Sequence, residues 1–131
     1  MLAWAGGLCL LTPTAEAAEL LMFERRGCPW CREWEKVIGP IYPRSEAGRR
    51  APLRRVDLDA GVPPGLTLKR PIRYTPTFVL VEDGRELDRI EGYPGEDFFW
   101  GRAERLLGRL PASPRSGPDG TTPAGERPGE E

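Results

Sequence analysis

Apolar residues in this chain fall into short continuous runs separated by segments in which they recur every three or four positions. Leu2 to Leu11 forms one apolar run, and Leu20-Leu21-Met22-Phe23 forms another, of the unbroken kind expected of a strand covered on both faces. From Trp30 the period lengthens. Trp30, Trp34, Val37, Ile38 and Ile41 share one helical face until Pro40 and Pro43 interrupt it. Arg54-Arg55-Val56-Asp57-Leu58 alternates as a second strand, Pro63-Pro64-Gly65 marks a turn, and a short helix is expected over 66–69. Thr77 to Val81 reads as a third strand, Asp83-Gly84 is the residue pair of a tight hairpin, and Glu86 to Ile90 returns as a fourth strand. Phe99, Ala103, Leu106, Leu107 and Leu110 then lie on one face of a closing helix, which Pro111 ends. The predicted order is β-α-β-(α)-β-β-α, an α/β fold with a mixed four-stranded sheet and flanking helices.

The two ends differ from the middle. The run from Leu2 to Leu11 is followed by Ala15-Glu16-Ala17, a small-x-small pattern of the kind signal peptidase cleaves, so residues 1–18 are expected to be a secretory signal peptide. No Lys or Arg precedes Leu2, and a start upstream of Met1 would supply one. The run is too short to cross a bilayer core of roughly 30 Å as a helix. Residues 111–131 are rich in proline and glycine and nearly devoid of hydrophobic residues, so they cannot bury enough apolar surface to offset their ordering entropy. They are expected to form a disordered tail, leaving one folded domain at 19–110. The 131 residues carry 19 basic and 20 acidic groups, a net charge of −1, which gives no electrostatic reason to expect nucleic acid as a partner. The domain is expected to act as a monomer.

The candidate chemistry lies in Gly27-Cys28-Pro29-Trp30-Cys31. Two cysteines three positions apart at the start of a helix share a face and can close a disulfide after small adjustment. Cys28 falls at the helix N-terminus, where unpaired N–H groups and the helix dipole favour a thiolate, so it is the expected nucleophile. Pro29 suits the first helical turn, where its missing N–H costs nothing. Cys31, one turn inward and shielded by Trp30 and Trp34, is the expected resolving thiol that attacks a mixed disulfide at Cys28. Trp30 is also a candidate substrate contact. A structural zinc site is disfavoured, because tetrahedral zinc wants four ligands, the chain has no histidine, and Cys9 would leave with the signal. No metal or other cofactor is expected. An inert disulfide is disfavoured too, because a four-residue loop constrains the chain little. Two other readings stay open: a dithiol metal-binding or redox-gated adaptor without turnover, and an oxidant that introduces disulfides.

Phe23 to Cys31 resembles the strand-to-active-site segment of the thioredoxin superfamily, and Tyr74-Thr75-Pro76-Thr77-Phe78 resembles its cis-proline strand. The resemblance covers most of 19–110 and implies a thioredoxin-like fold, close to the smaller glutaredoxin-like arrangement, with thiol-disulfide oxidoreductase activity. It implies a cis Thr75–Pro76 bond facing the dithiol, with Thr75 and Pro76 receiving an extended segment of a substrate protein. It also marks two departures. The buried acid of thioredoxins corresponds here to Met22, and its lysine partner to Arg55, a guanidinium that does not give up its proton. The proton acceptor for Cys31 is thus unassigned, with Glu24, Glu33, Glu35 and water as candidates, although each glutamate reads first as a surface charge. The short exported form with Gly-Cys-Pro-Trp-Cys is similar to the periplasmic thioredoxin-like proteins of bacterial sulfur-oxidation (Sox) systems. That implies a reductant of a carrier-protein disulfide, supplied with electrons by a membrane thiol reductase because the periplasm is oxidising.

Overall fold

Strand β1 (Glu19–Glu24) lies inside the sheet, flanked on both edges and covered on both faces, which is why its four central residues are all apolar and buried. The computed structural model describes residues 18–111 and shows a four-stranded sheet in which β1 is an inner strand. β2 (Leu53–Asp57) runs parallel to β1, with Met22 opposite Arg55, while β3 (Thr77–Glu82) and β4 (Arg85–Glu91) add antiparallel neighbours, in the order β2-β1-β3-β4. Residues 1–17 of the expected signal peptide, Cys9 among them, and all of the expected tail except Pro111 lie outside the described residues, whereas Ala18, the last residue of that expected signal, is described and buried.

Alternation along β1 sorts its side chains between two apolar clusters. Leu20 and Met22 point with Phe78, Leu80 and Ile90 toward the helices α1 (Pro29–Val37), α2 (Glu46–Arg50) and α3 (Glu96–Leu107). Trp34 is the hub of that layer, fully buried with ring centroids 5.1 Å from Phe78, 5.5 Å from Phe99 and 6.2 Å from Tyr42. Leu21, Phe23, Val56, Val79 and Val81 face the opposite way, where Leu58, Leu66, Leu68 and Ile72 cover them.

That second cover is a loop, and the helix expected over 66–69 is absent. The only helical turn between β2 and β3 is a 3-10 turn at Leu58–Ala60. Thr67 instead lies alongside β4: its N–H donates to the Gly84 carbonyl at 2.7 Å, and its carbonyl accepts from the Glu86 N–H at 3.0 Å. With Pro64 on one side and Pro71 on the other, Leu66 and Leu68 reach the same cluster by extended alternation rather than by helical spacing. Sequence reasoning also missed a 3-10 turn at Tyr42–Arg44 and the short helix α2 ahead of β2. Ser45 caps α2, its hydroxyl accepting from the Gly48 N–H at 3.0 Å. Glycine is needed at 48, since a Cβ there would lie 1.9 Å from the Tyr42 carbonyl oxygen.

The loop is fastened to β4 by a buried ion pair. Pairing of Leu80 with Asp88 and of Val81 with Glu86 leaves Leu87 as a bulge. The extra residue changes the parity of β4, so Glu86 and Arg89, three apart, both fall on the face of Val81 and Val79. Their side chains are 1% and 3% exposed and are bonded through Arg89 Nη2 to Glu86 Oε2 at 2.7 Å. Glu86 also accepts from the Lys69 N–H at 2.7 Å, and Arg89 donates to the Arg70 carbonyl at 2.7 Å. Burial pushes the Glu86 carboxyl up, but the bonds from Arg89 and the Lys69 N–H outweigh it and hold it below the ordinary carboxylate range.

A folded-state pKa below the unfolded one adds stability that is present above the unfolded glutamate pKa of about 4.3 and disappears as pH falls through the folded value. Urea unfolding at pH 7 and at about pH 3 should therefore show stability lost on acidification, with a smaller loss in Glu86→Gln than in the wild type. At pH 7 Glu86→Gln should cost about 2 kcal/mol, because it leaves the buried Arg89 with only the more distant Glu91 carboxylate, 3.6 Å away.

Candidate active site

The dithiol lies where β1 passes into α1. Gly27 takes a positive φ of 80°, and the Cys28 N–H donates to the Arg25 carbonyl at 3.2 Å, closing a turn that brings the chain to the helix start. Cys28 is the N-cap, extended at φ −79° and ψ 109°, and Pro29 is the first helical residue, as the spacing predicts. Cys28 and Cys31 are joined by a disulfide, with Cα atoms 5.3 Å apart.

Cys28 Sγ accepts the Cys31 N–H at 3.1 Å, one of the donors a helix start leaves unpaired, and lies 3.4 Å from the Thr75 carbonyl oxygen. The N–H favours negative charge on that sulfur, and the carbonyl is placed to accept from it when it carries a proton. Cys28 and Cys31 are both nearly buried, at 8% and 4% exposure, and Cys31 belongs to the same cluster as Trp34. Trp30, expected to shield Cys31, instead stands 61% exposed. It shares a helix face with the buried Trp34 four residues on, but stands on the first turn of α1, which nothing covers.

Thr75–Pro76 is cis. Pro76 is buried and Thr75 half-buried; the Gly92 N–H donates to the Pro76 carbonyl at 2.7 Å, and the Thr77 hydroxyl to the Tyr74 carbonyl at 2.6 Å. The structure thus brings Cys28, Thr75 and Pro76 together and sets Trp30 beside them. A cleft of about 480 Å³ runs past Trp30, Tyr74, Thr75, Gly92, Tyr93 and Arg102. Tyr74 and Arg102 were not expected there. Tyr74 had a signal, being a large aromatic directly before the Thr75–Pro76 pair, whereas Arg102 reaches the cleft from α3 and nothing local in the sequence marks it.

A second cleft, of about 340 Å³, opens on the other side of the dithiol, lined by Cys28, Cys31, Glu24, Arg32, Glu35 and Asp57 among others. Arg55, opposite Met22 in the sheet, does not stand in for a buried acid's partner; it forms a two-pronged ion pair with Glu35, with Nη2 to Oε2 at 2.8 Å. The Glu35 hydrogen bond pushes the Arg55 pKa up despite some burial. Glu33 is exposed and does not line this cleft. Among the described residues no group of three or more His, Cys, Asp and Glu side chains is placed to hold a metal ion.

A strand-to-helix dithiol facing a cis-proline loop can exchange its disulfide with another, and the geometry assigns the chain to the thiol-disulfide oxidoreductases of thioredoxin fold. Among solved structures it is similar to the reduced form of the periplasmic thioredoxin SoxS from Paracoccus pantotrophus, at 50% identity over 70% of this chain and 97% of that one, with a TM-score of 0.68. The chain belongs to the thioredoxin superfamily. Fasciola hepatica thioredoxin matches at 22% identity over 70% of this chain and 83% of that one (TM-score 0.52). The germline-specific thioredoxin Deadhead of Drosophila melanogaster matches at 20% over 70% and 82% (TM-score 0.50); these two share the fold. No protein-family model and no curated protein matches the chain.

Proposed function

We propose that this protein is a periplasmic reductant of disulfides on a partner protein, with Cys28 as the attacking sulfur and Cys31 as the resolving one. The observation that carries this reading is the setting of Cys28 Sγ, which takes a helix-start N–H at 3.1 Å and sits 3.4 Å from the Thr75 carbonyl. The N–H holds this sulfur toward the thiolate, and the carbonyl marks its place beside the backbone that receives an extended segment of the substrate. Thr75 and Pro76 form that edge, Trp30 supplies an exposed aromatic flank, and Pro29 fixes the helix start.

Residues 1–18 act as the export signal and 19–110 as the working domain, and the domain works as a monomer. The 50% identity to a periplasmic thioredoxin supports the location. The partner is a carrier protein of sulfur oxidation whose cysteine must stay reduced, and a membrane thiol reductase supplies the electrons, since the periplasm is kept oxidising. Equilibration of the purified chain with glutathione or dithiothreitol buffers tests the direction of electron flow. A potential near or below about −230 mV is expected of a reductant, whereas a value near about −120 mV would make the protein an oxidant that introduces disulfides.

A further inference from the structure

Resolution of a mixed disulfide requires Cys31 to lose a proton, because only the thiolate attacks. Met22, which the thioredoxin resemblance matches to a buried acid, is fully buried and apolar, so the acceptor lies elsewhere. Cys31 opens onto the cleft between the end of β1 and the start of α1, where three carboxylates also reach. Two of them are engaged. Glu35, one turn along α1 from Cys31, is held by both prongs of Arg55, and Asp57 Oδ1 accepts the Asp59 N–H at 2.9 Å. The third, Glu24, ends β1 half-buried and has no hydrogen bond or ion pair among the described residues.

We propose that Glu24 takes the proton from Cys31 across this cleft, replacing the acid that the sheet interior lacks. The inference rests on the assignment of Cys28 and Cys31 given above. With the partner's sulfur bonded to Cys28, the Cys31 S–H gives its proton to the Glu24 carboxylate, and the thiolate attacks Cys28 Sγ. The Cys28–Cys31 bond forms, the Cys28–partner bond breaks, and the partner leaves as a thiolate that takes up a proton. Two electrons pass from the dithiol to the partner's disulfide. The cleft has room for a bridging water if the two groups do not touch.

The surrounding charges suit the role. Burial raises the Glu24 pKa, repulsion from Glu35 raises it further, Arg55 opposes and Asp57 adds to the rise, so the carboxyl is a better base than an ordinary glutamate. Arg25, Arg26 and Arg32 also line the cleft, Arg25 being paired with Asp59 at 3.2 Å. Their positive charge favours the thiolates.

The test separates a base from a bare charge. Reduced full chain is mixed with bis(2-hydroxyethyl) disulfide over about pH 5 to 9, quenched in acid, and the mixed disulfide at Cys28 is followed by mass spectrometry as it forms and decays. Glu24→Gln should slow decay about 100-fold while the mixed disulfide still forms, and should remove the carboxylate limb of the pH profile. Glu24→Asp should recover part of the rate, and Glu33→Gln, an exposed position outside the cleft, should match the wild type. If Glu24→Gln resolves at the wild-type rate, the inference falls. It falls equally if that variant is faster, since removing a negative charge beside Cys31 eases thiolate formation. If the wild type forms no mixed disulfide at Cys28, the role assignment fails first and takes the inference with it.

Discussion

Changing Cys31 to serine is expected to convert the protein from a turnover catalyst into a covalent trap. Cys28 keeps its place at the helix start, its distance from the Thr75 carbonyl and its ability to attack, but the mixed disulfide then has no sulfur one turn inward to displace the partner. Turnover of a protein disulfide such as insulin should fall about a thousandfold or more, and a reducible adduct should accumulate on non-reducing gels. Cys28→Ser should lose turnover to a similar degree without accumulating adduct, because it is Cys28 that takes the helix-start N–H and lies beside the Thr75 carbonyl, where an incoming disulfide is received. The contrast between the two variants is the informative part. Equal trapping by both would mean that the assigned roles are wrong.

Replacing Trp34 with alanine should have the largest effect on stability. Its side chain is fully buried against Phe78, Phe99 and Tyr42, joining α1 to the sheet and to α3 at one point. Truncation of a buried tryptophan costs about 3 to 5 kcal/mol, which would consume much of the roughly 5 to 15 kcal/mol of a small domain. Trp34→Phe should cost much less. The indole Nε1 finds no acceptor among the described residues, so phenylalanine removes a buried donor along with the lost area. Urea midpoints of the two variants decide this: a Phe variant as unstable as the Ala variant would mean that ring size, and not the orphaned N–H, governs the site.

Much of the site was legible before any coordinates because its signals are local. Pro29 between two cysteines at helical spacing fixes a helix start, and the Asp-Gly pair between two apolar runs fixes the β3–β4 hairpin. Features that depend on tertiary pairing were not legible. Leu66 and Leu68 span too few positions for a period to show, so helix and extended chain could not be told apart until the Gly84 carbonyl was seen to bond the Thr67 N–H. The link between Arg55 and Glu35 depends on the β1–β2 register together with the rotation of α1, and neither residue announces it alone. Trp30 and Trp34 look alike in a helical pattern, yet one is exposed and the other fully buried, because the cover over α1 does not extend to its first turn. Glu86 and Arg89 look like solvated strand residues, and only the bulge at Leu87 turns both inward.

That bulge also determines where the chain can change length. Adding a residue at the Asp83–Gly84 tip would disturb the Thr67 N–H bond to the Gly84 carbonyl and the close approach of Gly65, but would leave unchanged which side chains face which layer. Removing one residue between Glu86 and Arg89 would instead return β4 to simple alternation and carry one of the two charges toward the aromatic layer around Phe78. The loop leading to Thr75 would lose an anchor in the same step. A single codon in β4, at residues that line neither cleft beside the dithiol, is therefore intolerant of deletion.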